Sequence, residues 1–370
     1  MELSNYVTKK AGSYYDHTQK ISLPLDSTEE TLRKSHFLKG QEQEALHATL
    51  FAPPKQYRFV VIPTWRCNLR CTHCCVLHKL VKRDESKIDV DLLEAFCRRH
   101  EGTYGSSLMQ VVFCGGEPLL SPKSVRAIID MCHRLHPNPK LILTTNLTVN
   151  LTDEIMEIME LLGSITVSID GTEETHNIQR KPLRSDWNPY ERSMNNLKRL
   201  LLAGFRNKIY VQSAMATREH LPQFYYNMLK LGLNKKQIKY GIIHPTVHKP
   251  QANELHLNLW KKRNHKVGWF TPCCKYLYMH HFLVGPDNYL YTDFYVQDRL
   301  GHLSESFENL AAKYRETVID NMPVLHDENC LSCPVIGYCW GGCSQSIEHI
   351  KKPSQFCDRD GLIKLHLEEE

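Results

Sequence analysis

Three cysteines share one short run, Cys67-Asn68-Leu69-Arg70-Cys71-Thr72-His73-Cys74, with the spacing C-x3-C-x2-C. Three thiolates on one loop can hold three irons of a [4Fe–4S] cube, which leaves the fourth iron without a protein ligand. Such an open position is what allows a metal centre to chelate a substrate. A three-cysteine zinc site or plain packing would use the same residues, but zinc sites usually pair C-x2-4-C with a second pair of ligands. Cys75 adjoins the run and falls outside its spacing. Farther along stands Cys114-Gly115-Gly116-Glu117-Pro118. The two glycines let a backbone approach a ligand closely and the carboxylate can accept from an ammonium group, although Gly-Gly-Glu alone also makes a turn. Ser168-Ile169-Asp170-Gly171 is followed by His176 and Arg180. A guanidinium there can clamp a carboxylate with two hydrogen bonds, or the pair can be a surface arginine and a turn aspartate. A second cysteine group, Cys330-x2-Cys333-x5-Cys339-x3-Cys343 followed by Cys357, could be a zinc ribbon or a set of cluster ligands.

These residues need a frame. From Tyr57 onward, short apolar runs at 58–63, 109–114, 141–145, 165–169, 209–214 and 238–243 alternate with amphipathic stretches at 89–100, 122–135, 152–162, 189–203 and 218–231. Continuous apolar strands between such helices predict a parallel sheet covered by helices. Helix starts are signalled at Ser121-Pro122 and Thr152-Asp153. Six strand–helix units predict an α/β fold, a partial (β/α)6 barrel, with its chemistry at the C-terminal ends of the strands. The first three motifs follow the first, second and fourth of those strands, and Asn146 ends the third. After about Pro250 the alternation stops and aromatics, Gly, Pro and Cys become frequent, as in a small segment stapled by metal. The expected division is an N-terminal extension over 1–55, a core over 56–248 and a cysteine-rich domain over 249–370. Residues 1–55 read as short helices or an arm over the body.

Composition narrows the function classes. Apolar residues make up 42% of 370 and charged residues 24%, an ordinary globular balance. The net charge of +5 is too small to argue for nucleic acid, though it suits an acidic peptide. The N-terminus lacks the basic-then-apolar order of a signal peptide, and no stretch approaches the roughly 18 apolar residues of a membrane span. A cytoplasmic protein without membrane or nucleic-acid partners is expected. In a reducing compartment, 14 cysteines point to metal or redox use rather than disulfides. Cys97 and Cys132 fall within predicted helices and read as buried small hydrophobes. His244 ends the sixth strand and could line a cavity or be structural. The basic run at 261–266 is a solvated face or a dock for an acidic leader.

The C-x3-C-x2-C run resembles the radical S-adenosylmethionine (SAM) family. There, SAM binds the open iron through its amino and carboxylate groups, and one electron from the cluster breaks the sulfur–C5′ bond. The product, a 5′-deoxyadenosyl radical, takes hydrogen from the substrate. The resemblance covers about residues 58–245. It makes Gly115, Gly116 and Glu117 the motif that holds the methionine amine. Ser168, Asp170 and Arg180 become the stretch that reaches the SAM carboxylate and ribose, and Asn146 a pocket-lining position. His73 departs from the aromatic residue that the family often has.

Cys339-Trp340-Gly341-Gly342-Cys343 resembles the SPASM extension of that family, which usually carries two further [4Fe–4S] clusters. By position, Cys330, Cys333, Cys339 and Cys357 would hold the outer cluster and Cys343 the inner one, with Cys273 or Cys274. The inner cluster's second cysteine is missing, and Tyr291-Thr292-Asp293-Phe294-Tyr295-Val296 stands in its place. Three readings stay open: Asp293 as an oxygen ligand, an open iron for substrate, or no inner cluster. The same stretch is similar to anaerobic sulfatase maturases, where an aspartate at this point acts as base. A base is chemically sensible, since oxidising a substrate radical must be coupled to loss of a proton. Asp293 as an ordinary turn residue is the alternative.

The family implies a peptide substrate, a precursor peptide with a leader, and an external reductant such as flavodoxin or ferredoxin. Maturation of a ribosomally made peptide by cross-link, thioether or epimer competes with formylglycine formation and with oxidation of a small metabolite. A non-catalytic zinc module is the contrasting class. Protein purified without oxygen is expected to be brown, with about eight to twelve irons per chain. Colourless protein holding zinc would contradict the family reading.

Overall fold

The structure, a computed structural model, describes residues 2–10, 12–19, 21–52, 56–74, 76–81, 86–184, 187–215, 219–242, 281–292, 299–319, 323–336 and 359–363. Asp293, Cys273, Cys274, Cys339, Cys343 and Cys357 lie outside them, as do His244 and the basic run. The described residues fall into two compact units, one drawn from 54–252 and 280–307, the other from 1–53 and 308–370.

The second of these begins with an antiparallel sheet of β1 (Val7–Lys10), β2 (Ser13–Asp16) and β3 (Ile21–Pro24) in the order β1-β2-β3. Two helices follow, α1 (Glu29–Lys34) and α2 (Glu42–Phe51). Their core is Val7, Tyr14, Leu32, Phe37 and Leu38. The short helices expected over 1–55 are present as α1 and α2, and the sheet that precedes them was not expected. Its strands are four residues each, too short for a period-2 signal to emerge from the sequence.

The larger unit is built on a parallel sheet. Its strands are β4 (Gln56–Val61), β6 (Ser107–Phe113), β7 (Lys140–Thr145), β8 (Ser164–Ser168), β10 (Ile209–Met215) and β11 (Ile238–Ile242). A two-stranded ladder of β5 (Leu69–Cys71) and β9 (Arg180–Pro182) lies outside it. Helix α3 (Leu77–Val81) follows the cysteine run. The connecting helices are α4 (Val90–Tyr104), α5 (Pro122–Leu135), α6 (Asp153–Leu161), α7 (Glu173–Gln179), α8 (Pro189–Leu202) and α9 (Leu221–Lys230). Each of the six strands neighbours the one before it, giving the order β4-β6-β7-β8-β10-β11. A sheet wound one way, with right-handed crossovers, carries its helices on one face. All six strand runs and all five helices expected from the apolar pattern are present. Their ends are set by local chemistry: Asp89 caps α4 through Leu92 N–H, Thr152 caps α6 through Ile155 N–H, and Pro122 opens α5.

Past the undescribed residues 243–280, the chain adds to this sheet. β12 (His281–Val284) pairs parallel with β4, and β13 (Tyr289–Tyr291) and β14 (Arg299–His302) follow antiparallel, which extends the sheet to nine strands. Aromatic packing fixes this addition. Phe282 of β12 meets Phe59 at 5.2 Å, Phe96 at 5.1 Å and His100 at 5.3 Å between ring centroids. All four rings are buried. Phe282→Ala is expected to cost about 3–5 kcal/mol of stability, measured by denaturant unfolding of the anaerobic protein. A loss below about 1 kcal/mol would contradict this anchoring role.

Candidate functional site

The cysteine run follows β4 and is stitched to the segment after α7. In the β5–β9 ladder Leu69 pairs with Pro182, Arg70 with Lys181 and Cys71 with Arg180. Two further bonds extend it, Thr72 N–H to Gln179 O at 2.8 Å and Leu183 N–H to Asn68 O at 2.8 Å. The Arg70 guanidinium folds back and donates to Cys67 O at 2.9 Å and Leu69 O at 2.8 Å. The loop that carries the thiols is thus pinned from both sides.

Cys67, Cys71 and Cys74 are half-buried and free. Burial pushes the Cys67 thiol up to about 12 and the Cys74 thiol up to about 11. Burial raises Cys71 too, with the Arg180 charge pulling the other way. Bare thiols here are protonated at neutral pH, and only a bound metal would take them to thiolates. Among the described residues, no three Cys, His, Asp or Glu side chains converge as ligands of a single ion. A cube asks for something else, since each cysteine binds a different iron and the three sulfurs stand apart.

The loop after β6 explains its glycines differently from the sequence reading. Gly115 has φ +109°, and a Cβ there would collide with the Ile62 side chain. A Cβ on Gly116 would fall on the carbonyl oxygens of Arg66 and Thr64. What approaches so closely is the chain after β4, held by Gly116 N–H to Thr64 O and Glu117 N–H to Arg66 O. Glu117 itself is 1% exposed. Its carboxylate accepts from Thr145 Oγ1 at 2.7 Å, Asn146 N–H at 2.8 Å and Leu119 N–H at 3.1 Å. Burial pushes this carboxyl up to about 7, against the pull of those three bonds and of Arg180. Glu117 therefore ties the end of β6 to the end of β7, and its remaining acceptor capacity is small.

Asn146 joins that tie to the cysteines. Its Nδ2 donates to Asn68 Oδ1 at 3.0 Å and lies 3.9 Å from Cys67 Sγ. Its Oδ1 accepts from Thr148 N–H and Oγ1, while Asn68 Nδ2 donates to Thr148 Oγ1. Helix α8 holds the same turn from behind: Ser193 Oγ donates to Asn146 O, and Asn196 Nδ2 to Leu147 O and Val149 O.

After β8 stands a buried ion pair. Arg180 Nε donates to Asp170 Oδ2 at 2.7 Å and Nη2 to Oδ1 at 3.0 Å, with Asp170 0% exposed and Arg180 9%. Asp170 also accepts from Ala214 N–H at 2.8 Å, and His73 Nε2 lies 3.8 Å away. Burial disfavours the Asp170 anion, but the charges of Arg180 and His73 and the hydrogen bonds from Arg180 and Ala214 together outweigh it and hold the carboxyl below its usual value. The remaining Arg180 nitrogen, Nη1, lies 3.9 Å from Cys71 Sγ. His176 is driven down to about 4 by burial and by Arg180, so its neutral ring accepts from Asp170 N–H through Nδ1 at 3.1 Å. Ser168 is half-buried at the end of β8, in register with Gln212.

Cys67, Cys71, Cys74, Glu117, Asn146, Asp170 and Arg180 are thus brought together at the strand ends. Reading the sequence missed Asn68 and the His73–Asp170 approach. Asn68 and His73 both lie inside the cysteine run, and an amide between ligand positions was a signal for the first. Of the second cysteine group, Cys330 and Cys333 are described, in the smaller unit. A short helix, Glu328–Leu331, is capped by Asp327, whose carboxylate accepts from Asn329 N–H and Cys330 N–H. Cys333 N–H then bonds back to Cys330 O at 3.0 Å.

Residues 61–219 match the Radical SAM superfamily. An uncharacterized protein of Methanocaldococcus jannaschii is 26% identical over 188 residues, which is 49% of this chain and 61% of that relative. The chain thus spans about three fifths of the curated relative it matches. Among solved structures, anSMEcpe with bound AdoMet aligns with a TM-score of 0.59 at 15% identity, over 85% of this chain and 97% of that one. Native anSMEcpe with bound AdoMet and Cp18Cys peptide gives 0.58 at 16% identity, over 84% and 96%. These likenesses show the same fold, a mixed α/β unit on a parallel sheet. The family implies a [4Fe–4S] cluster and SAM, and three thiols on one pinned loop fit three irons of a cube.

Asp170→Asn would leave Arg180 as a buried cation without its counter-charge. The expected loss is about 3–5 kcal/mol in denaturant unfolding, together with less iron retained by the cysteine run. Stability within about 0.5 kcal/mol of the parent would contradict a central role for the pair.

Proposed function

We propose that this radical SAM superfamily enzyme modifies a residue of a peptide, as a maturase of a ribosomally synthesised precursor. The observation that carries the reading is the register of Cys71 with Arg180. Together with the Asp170–Arg180 pair and the Glu117–Asn146 tie, it gathers these residues at the C-terminal ends of the parallel strands. When bound, the cluster and SAM supply reductive cleavage of a sulfur–carbon bond and the hydrogen abstraction that follows.

The chain's own residues prepare that step. Cys67, Cys71 and Cys74 would hold the cluster. Asn146 and Arg180 each bring an N–H near a cysteine sulfur, and such donors adjust a cluster's potential. Asp170 holds the Arg180 plane, so that the guanidinium is fixed in advance for an anionic group of SAM. Gly115, Gly116 and Glu117 keep the β6 loop against the chain after β4 and are assigned to the methionine amine, which the backbone of this loop and the remaining acceptor site of Glu117 would meet. Ser168 is assigned to the SAM carboxylate or ribose. Asp293 is assigned as the base that removes a proton when the substrate is oxidised. Cys330, Cys333, Cys339 and Cys357 are assigned to an auxiliary cluster in a SPASM-type domain, and Cys273, Cys274 and Cys343 to a second, incomplete one.

Support for a peptide comes from the fold shared with anSMEcpe, which was solved with AdoMet and the Cp18Cys and Kp18Cys peptides. The same likeness, with the Asp293-Phe294-Tyr295-Val296 stretch, favours a second reading: formylglycine formation, the reaction of sulfatase maturases. Reconstituted enzyme with SAM, strong reductant and candidate peptides is expected to release 5′-deoxyadenosine and change the peptide. A loss of two hydrogens with a new cross-link or thioether, or an unchanged mass in ordinary water with deuterium taken up from heavy water, supports the first reading. A Cys or Ser converted to an aldehyde supports the second. Release of 5′-deoxyadenosine with no peptide modified, but a small metabolite oxidised, would overturn both.

A further inference from the structure

The segment 1–53 packs in one compact unit with the chain that carries Cys330 and Cys333. Two consecutive side chains make the connection. Tyr6 Oη donates to Leu331 O at 2.7 Å, and Asn5 Nδ2 donates to Ser332 O at 3.2 Å. Leu331 and Ser332 are the two residues between the cysteines. Their carbonyls end the short helix Glu328–Leu331, where a helix leaves its last acceptors without an internal partner. The N–H groups of the same turn are already used: Leu331 to Asp327 O, Ser332 to Glu328 O, and Cys333 to Cys330 O. The two N-terminal side chains therefore complete the bonding of the turn between the two thiols.

Tyr6 cannot easily move away. Its side chain is 0% exposed, its carbonyl accepts from His17 N–H at 2.9 Å, and its N–H reaches Ser4 Oγ at 3.3 Å. Ser4 is itself bonded by N–H to Phe37 O at 2.8 Å. The β1–β3 sheet and its core thus hold a rigid aromatic ring beside the cysteine pair. Cys333 is 8% exposed, with Val335 and Ile336 buried just after it.

We infer that the N-terminal segment is part of the auxiliary metal site, with Tyr6 and Asn5 as positioning residues that set the Cys330–Cys333 turn and keep solvent from it. Solvent exposure and the geometry of the sulfurs are two of the quantities that fix the potential of an iron–sulfur cluster. This inference rests on the auxiliary cluster proposed above, and it gives residues 1–53 a role in holding and tuning that cluster.

The test uses the full chain, reconstituted with iron and sulfide without oxygen, in three forms: parent, Asn5→Ala and Tyr6→Phe. Asn5 is exposed and Tyr6→Phe keeps the ring, so both variants are expected to fold, with thermal unfolding as the check. Iron per chain and the midpoint potential of each cluster, followed by electron paramagnetic resonance, are the readouts. The expected result is a parent with eight or more irons, and variants that lose about four irons or show a shifted midpoint for the auxiliary signal. The signal of the SAM-binding cluster and peptide-independent 5′-deoxyadenosine release stay as in the parent. A structural contact alone would lower the melting temperature without moving a potential. Variants with parental iron and parental midpoints would overturn the inference and leave the auxiliary cluster standing. A parent holding only about four irons would overturn both.

Discussion

A buried charge pair governs the site. Arg180 and Asp170 are both withdrawn from water, and neither is stable there without the other. Their bond joins the end of β8 to the ladder strand β9, and β9 pairs with the cysteine loop, so the position of Cys71 follows from it. On the opposite side Glu117 does the same for β6 and β7, and Asn146 hands that constraint to Cys67 through Asn68. Three thiols on a short loop would otherwise be a flexible set. Here the loop is held by backbone pairing on one flank and by amide side chains on the other. That is the preorganisation a reactive metal centre needs from its protein.

Much of the larger unit was readable from the chain because its strands are short apolar runs and its helices bury one face. Ile165, Thr166 and Val167 are all buried in β8, so the apolar run shows directly. Caps such as Thr152 and Asp89 gave sharp helix starts for a chemical reason, an oxygen placed to accept from the third residue on. Helix α7 escaped notice because it is short and leaves Ile178 58% exposed, which breaks the amphipathic pattern. The strands β12 to β14 escaped for another reason. Their burial depends on returning to the far edge of β4, a long-range pairing that no local period records.

The first three motifs come together in the structure, but the sequence could not tell which atoms of a motif meet which neighbours. Gly115 and Gly116 are glycines because Ile62 and the Thr64 and Arg66 carbonyls occupy the space of a side chain. Glu117 is an acid because three donors from β7 and the adjacent turn converge on it. Both facts need the packed structure. In the smaller unit the strands are too short to announce themselves, and the tie between Tyr6 and the Cys330–Cys333 turn joins residues 325 positions apart.

The central claim is that the pinned loop of Cys67, Cys71 and Cys74 holds a cluster with one iron free for SAM. The most direct measurement is electron–nuclear double resonance on the reduced protein with SAM labelled by nitrogen-15 at its amino group. The account predicts a hyperfine coupling between that nitrogen and the cluster, lost when Cys71 is changed to Ala. A reduced cluster with no coupling to the label, in protein shown to bind SAM, would contradict it.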